Sequence, residues 1–168
     1  MQDAITYIGL GSNLGDKQAY LKQALAAINA HPQMQVLAVS PFFRSAPVGV
    51  LEQPDFVNAV AQVRTHLAPY DLLAALQAIE NAQARVRTQV WGPRTLDLDI
   101  LLYADLVLQD KDLCIPHAHM RTRGFVLLPL YTLNPELCLP TGELLCQLLS
   151  EIDTQDLQML NNLADCVQ

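Results

Sequence analysis

Phe56-Val57-Asn58-Ala59-Val60-Ala61-Gln62-Val63-Arg64-Thr65 sets Val57, Ala59, Ala61 and Val63 two apart. Residues two apart in an extended chain share a face, so this spacing predicts a strand over 56–65 with one apolar side. Upstream, 36–43 reads as another strand, and Ser45-Ala46-Pro47-Val48-Gly49 with Pro54 reads as a long loop between the two. Further back, 16–30 carries Leu21, Ala24, Leu25 and Ile28 at helical spacing and stops before Pro32. Residues 5–10 are a short apolar strand that runs into Gly11-Ser12-Asn13. Downstream, Pro69 is placed to open a helix carrying Leu72, Leu73, Leu76 and Ile79 to about Arg85. A polar loop with Trp91-Gly92-Pro93 follows, then a strong strand over 96–103. Shorter elements are expected at 106–108 and 125–128, and helical segments at 143–150 and 154–164. The order strand, helix, strand, strand, helix, strand predicts an α+β fold of ferredoxin-like type. Its antiparallel-rich sheet would have helices packed on one face, in a single-domain sandwich over 1–168.

The chain of 168 residues is 51% hydrophobic and 16% charged, which excludes a disordered polypeptide. Its formal charge of −7 argues against a nucleic-acid partner, although a local arginine cluster can still hold a small anion. The longest apolar run, 125–133, is too short for a membrane span and contains Pro129. Residues 1–20 have no cationic start and no small-residue cleavage site, so no secretory signal is expected. Cys114, Cys138, Cys146 and Cys166 form no CxxC pair and no zinc spacing. Reduced thiols in a cytoplasmic protein are the main reading, with a disulfide as the minor alternative.

The segment richest in chemistry is Trp91-Gly92-Pro93-Arg94-Thr95-Leu96-Asp97-Leu98-Asp99-Ile100-Leu101. Strand alternation puts Asp97 and Asp99 on one face and Leu96, Leu98 and Ile100 on the other. Two adjacent carboxylates repel unless cations lie between them, and hard oxygen ligands at this spacing suit Mg²⁺, which completes its shell with water and phosphate. The plain alternative is an acidic, solvated strand face. Arg85, Arg87 and Arg94 favour the functional reading, because a guanidinium fork grips phosphate oxygens and stays charged. As surface salt-bridge partners of Glu80, Asp97 or Asp99 the same arginines would carry no function. Arg121 and Arg123 follow Pro116-His117, and Arg123 adjoins Phe125, a ring on which a ligand can stack. Phe56 and Asn58 share a strand face, where a ring and a carboxamide can hold a flat heterocycle. Gly9, Gly11 and Gly15 miss the dinucleotide spacing, no phosphate-cradling GK[ST] loop exists, and the glycines read as a strand-to-helix turn.

Four ordered segments carry a resemblance over nearly the whole chain: Ile8-Gly9-Leu10-Gly11-Ser12-Asn13-Leu14-Gly15, Gln53-Pro54-Asp55-Phe56-Val57-Asn58-Ala59-Val60, Trp91 through Leu101, and Pro116-His117 with Arg123-Gly124-Phe125. The chain resembles the 6-hydroxymethyl-7,8-dihydropterin pyrophosphokinases of folate biosynthesis. That resemblance implies transfer of an intact diphosphate from ATP to the pterin hydroxymethyl group, with AMP released. It implies that Asp97 and Asp99 hold two Mg²⁺ ions and that Arg85 and Arg94 neutralise charge during transfer. Phe56, Asn58 and Phe125, with Ser45, Ala46, Val48 and Trp91, would form the pterin pocket, and Trp91 would help close a loop over the ATP site. Gln77, Glu80, Arg87, Ile100, His117 and Arg123 would line the ATP site. Val90, Ala84 and Ala118 depart from the family's usual residues, which implies looser ATP binding with activity kept. A monomer is expected. The competing classes are a catalytically silent pterin- or nucleotide-binding module and a metal-dependent nucleotidyltransferase; in the latter the Gly-Ser and Asp-x-Asp elements lie close together, whereas Ser12 and Asp97 are far apart.

Overall fold

The computed structural model describes residues 3–46, 54–83 and 95–160. Strand β1 (Ala4–Ser12) leads into helix α1 (Lys17–Ala30), then β2 (Met34–Val39), β3 (Phe43–Ser45) and β4 (Phe56–Thr65). Helix α2 (Pro69–Gln83) precedes β5 (Asp97–Tyr103), the short hairpin strands β6 (Leu108–Gln109) and β7 (Cys114–Ile115), α3 (Gly124–Leu133), α4 (Leu145–Ser150) and β8 (Gln158–Met159). Among the described residues six strands form the main sheet in the order β5-β1-β4-β3-β8, with β2 also paired to β4. All these pairings are antiparallel. The placement of β1 between β5 and β4 is the expected ferredoxin-like arrangement.

Local chemistry sets the element ends. The Asp16 side chain accepts the Ala19 N–H at 3.1 Å and caps α1, which ends at His31, just before Pro32. Pro69 opens α2, where its missing N–H costs nothing. The expected strand over 36–43 is divided in two. Pro41 cannot donate to a ladder, and the buried Ser40 hydroxyl accepts the Val60 N–H at 2.9 Å while Ser40 N donates to the Val60 carbonyl. The chain therefore bends at 40–42 before pairing resumes.

Helices cover both faces of the sheet, not one. Leu21, Leu25 and Ile28 of α1 and Leu72 and Leu76 of α2 pack on Ile8, Leu10, Val57, Ala61, Val63, Leu98 and Ile100. On the other face Val126, Leu127 and Leu130 of α3 and Leu145 of α4 pack on Tyr7, Val60, Leu101 and Leu102. A register shift in the β1–β5 ladder turns both Leu101 and Leu102 to this second face, which supplies the apolar bed for α3. The second layer escaped the sequence because Pro129 broke the helical pattern of 125–133. The helix runs through it, and burial of Val126, Leu127 and Leu130 offsets the lost hydrogen bond to the Phe125 carbonyl. The helix expected at 154–164 is also absent over its described part: residues 154–157 turn, and 158–159 form β8.

Ser12, at the end of β1, is 1% exposed, and its Oγ has no hydrogen-bond partner among the described residues. An unsatisfied buried hydroxyl costs on the order of 1 kcal/mol or more. Ser12→Ala is therefore expected to raise the calorimetric melting midpoint by about 2–4 °C, as such an energy does in a domain of this size. A lowered midpoint would mean that the hydroxyl has a partner in the folded protein.

Candidate active site

A cleft of about 610 Å³ opens on the α3 side of the sheet. Its floor is one row of paired residues. Asp97 on β5 is opposite Gly11 on β1, Gly11 is opposite Asn58 on β4, and Asn58 is opposite Phe43 on β3. The next row sets Asp99 opposite Gly9. Neighbouring strands are about 4.8 Å apart, so the acidic strand and the Asn58 strand stand roughly 10 Å from each other with bare glycine backbone between them. That gap accepts a flat molecule with one end at Asn58 and the other at the carboxylates.

Both Asp97 and Asp99 line the cleft, Asp97 half-buried and Asp99 exposed. Their strand is braced from the opposite layer, where Glu80 Oε2 on α2 accepts the Leu98 N–H at 2.9 Å. At the other end Asn58 is 6% exposed and its Nδ2 donates to Ser45 Oγ at 3.2 Å. A Cβ added to Gly11 would stand 2.8 Å from Asn58 Oδ1, so the carboxamide occupies the space that the glycine leaves. Gly9 and Gly11 therefore serve the cleft floor within β1, and only Gly15, with φ +69°, belongs to the expected turn.

Phe56 rises from the sheet and Phe125 from the first turn of α3, and both rings line the cleft. Arg123 places its guanidinium carbon 5.7 Å from the Phe125 ring centroid, a cation–π distance. His117 lines the same wall, tied down by its N–H to the Leu101 carbonyl at 2.9 Å. Burial pushes the His117 imidazole below its ordinary value; Arg123 and His119 add to this and Asp99 opposes it. His117 Nδ1 accepts the His119 N–H at 3.2 Å, which assigns the ring proton to Nε2. His117 thus presents a neutral N–H donor at pH 7.

The cleft brings together Ser45, Ala46, Phe56, Asn58, Asp97, Asp99, His117, Arg123 and Phe125. It separates Arg121 from Arg123: Arg121 is bound to Glu143 and, at 2.8 Å, to Thr141. Gln77 is exposed on α2, Glu80 is engaged with Leu98, and the Ile100 side chain is buried under the helices; none of the three is a cleft-lining residue. Val48, Arg85, Arg87, Trp91 and Arg94 lie outside the described residues, as do Val90 and Ala84. Ala118 is exposed beside His117. The sequence reading missed Thr122, Gly124 and the segment containing Ile152, Asp153, Asp156 and Leu157, all of which line the cleft. Ile152 and Leu157, the two apolar residues of 152–157, are five apart, a spacing that marks neither a helix face nor a strand face.

A carboxylate pair on an edge strand, the Arg123 guanidinium and an aromatic–amide pocket meet in one cleft of an α+β sheet, a donor set suited to a phosphate-bearing ligand beside a flat ring. Residues 7–135 match the family model described as 7,8-dihydro-6-hydroxymethylpterin-pyrophosphokinase, HPPK, and the chain belongs to that family. It is 49% identical over 154 residues to the 2-amino-4-hydroxy-6-hydroxymethyldihydropteridine pyrophosphokinase of Pseudomonas aeruginosa, covering 92% of this chain and 95% of that one. To the protein of the same name from Haemophilus influenzae it is 44% identical over 155 residues, with 92% and 97% covered. Among solved structures, wild-type Plasmodium falciparum HPPK-DHPS with pteroate superposes with a TM-score of 0.70 at 13% identity, over 89% of this chain and 42% of that one. At that identity the likeness is one of fold.

Proposed function

We infer that this protein transfers an intact diphosphate from ATP to the hydroxymethyl group of 6-hydroxymethyl-7,8-dihydropterin, releasing AMP, as a step of folate biosynthesis. The observation that carries this reading is the row Asp97–Gly11–Asn58, which fits a pterin between a carboxamide and a carboxylate pair. Asn58, held by Ser45, hydrogen-bonds the ring edge beside Ala46, and Val48 is assigned to the same pocket by the sequence motif alone. Phe56 and Phe125 stack on the two ring faces. The hydroxymethyl group then points along the glycine floor toward Asp97 and Asp99.

No group of three or more His, Cys, Asp or Glu forms a metal cage among the described residues. Two carboxylates on one strand, open to the cleft, fit a cation that leaves most of its shell to water and phosphate, which is the habit of Mg²⁺. Asp97 and Asp99 would hold two such ions, which when bound would neutralise the ATP phosphates. His117 Nε2–H and the Arg123 guanidinium offer donors to phosphate oxygens from the opposite wall. By the family motif in which they stand, Arg85 and Arg94 are assigned charge neutralisation during transfer, Arg87 ATP binding and Trp91 pterin binding. Gln77 and Glu80 meet the nucleotide at the outer edge of β5. Ile100 contributes there through its backbone, since strand alternation turns its N–H to the same side as that of Leu98.

The hydroxymethyl oxygen attacks the β-phosphorus in line as the bond to the α-phosphate bridging oxygen breaks. AMP leaves with that oxygen, and the hydroxyl proton passes to solvent or phosphate. Positioning and charge stabilisation supply the rate. The domain works as a single cytoplasmic unit and as a monomer; no helix among the described residues is long and apolar enough to cross a membrane.

The test is AMP formation from ATP and the pterin, with and without Mg²⁺. AMP that requires both the pterin and the metal is expected. Folded protein that binds pterin and yields no AMP would leave a silent binding module instead.

A further inference from the structure

The segment after α4 does not pack as a remote helix. It returns along the open side of the cleft and ends as β8, which pairs Arg44 with Gln158 and Phe43 with Met159 on β3. The Leu160 N–H donates to the Phe42 carbonyl at 2.8 Å and fastens its end. Between α4 and β8, Ile152 and Leu157 line the cleft, and β8 lies at the opposite end of the sheet from the strand that carries Asp97 and Asp99. The same segment presses on the start of α3. A Cβ on Gly124 would meet Ile152 Cγ2 at 3.2 Å and Thr154 Cγ2 at 3.4 Å. Gly124 immediately precedes Phe125 and follows Arg123.

We propose that residues 152–157 are the end wall of the pterin pocket, and that Ile152, through its contact at Gly124, is a positioning residue for the Phe125 ring. The proposal rests on the pterin-binding reading above. Strap and ring are coupled through this close approach: a side-chain carbon at position 124 would have to displace Ile152 or shift the turn from which Phe125 projects. Gly124 stands between Arg123 on the ATP side and Phe125 on the pterin side; Phe125 projects from the helix that starts at the glycine, whereas Arg123 precedes it, so the wall acts on pterin affinity more than on ATP.

Gly124→Ala separates positioning from folding. Gly124 has no positive φ and starts a helix, where alanine suits the backbone better than glycine. The variant should keep or slightly raise the thermal midpoint. Its KM and fluorescence-titrated Kd for the pterin should rise about tenfold, the scale of a small steric mismatch in an apolar pocket, with KM for ATP within about twofold. Ile152→Ala should also weaken the pterin, and Ile152→Val should restore it. In Gly124→Ala/Ile152→Ala the new methyl has room, so the double variant should be less impaired than the product of the two single effects. Leu160→Pro removes the fastening N–H and should likewise raise pterin KM alone. Pterin affinity unchanged in Gly124→Ala, equal rises for ATP and pterin, or purely multiplicative effects in the double variant would overturn the proposal. Wild-type protein that forms no AMP, or that fails to bind the pterin, would instead overturn the underlying reading, and the assignment of this wall to a pterin with it.

Discussion

Asp97→Asn and Asp99→Asn should each lower pterin-dependent AMP formation by at least about 10²-fold, the scale of losing one preorganised electrostatic partner of a developing charge. The substitution keeps the shape of the side chain and removes its charge. Two like charges projecting from one strand face repel, and either change relieves that repulsion. A single cooperative melting transition should remain while activity falls, which checks that the variants fold. Pterin affinity in the absence of nucleotide should stay within about threefold, because Asn58 and Phe56 stand on β4, two strands away. The Mg²⁺ concentration for half-maximal rate should increase in both variants, as expected of a cation with few protein ligands. The readouts are AMP release against Mg²⁺ concentration and pterin binding by fluorescence. A variant that keeps more than about a tenth of wild-type turnover would remove that carboxylate from the reaction.

The central sheet was legible because its signals are local. The alternation in 56–65 holds one apolar face, and Val57, Ala61 and Val63 are buried together beneath α1 and α2. Asp97 and Asp99 could be placed on one face for the same reason. What stayed hidden depended on long-range packing. Pro129 obscured α3, and with it the second helical layer that roofs the cleft. The kink at Ser40 arises from hydrogen bonds to Val60, twenty residues on. The wall at 152–157 exists only because β8 finds the edge of β3. Gly9 and Gly11 read as turn residues because their neighbours Ser12, Asn13 and Gly15 are turn formers. Their actual work is cross-strand, under Leu101 and Asn58. Arg123 was set apart from Arg121 in the sequence by its neighbour Phe125, and the Glu143 partner engages Arg121 away from the cleft. That ion pair also holds the Glu143 carboxyl below its usual range, with Arg121 as the main cause.

Gly11→Ala should cost about 10²-fold in pterin affinity, and the reason is a single oxygen. The new Cβ would stand 2.8 Å from Asn58 Oδ1, closer than such atoms approach. The carboxamide cannot simply swing aside, because it is buried and its Nδ2 is committed to Ser45 Oγ. Either that hydrogen bond breaks or the amide leaves the position from which it meets the ring edge. Leaving a buried polar group mismatched costs roughly 2–3 kcal/mol, which corresponds to the expected loss. Gly9→Ala is the internal control on the same strand and face. Its Cβ would meet the Leu101 side chain at 3.4 Å, an ordinary contact that a leucine can accommodate, so pterin affinity should stay within about threefold. Neither glycine has a positive φ, so backbone strain does not distinguish the two. Because Gly11 acts through Asn58, Gly11→Ala/Asn58→Ala should bind the pterin no more weakly than Asn58→Ala alone. Additive losses in that double variant, or equal damage from Gly9→Ala, would place the effect of Gly11 somewhere other than the carboxamide.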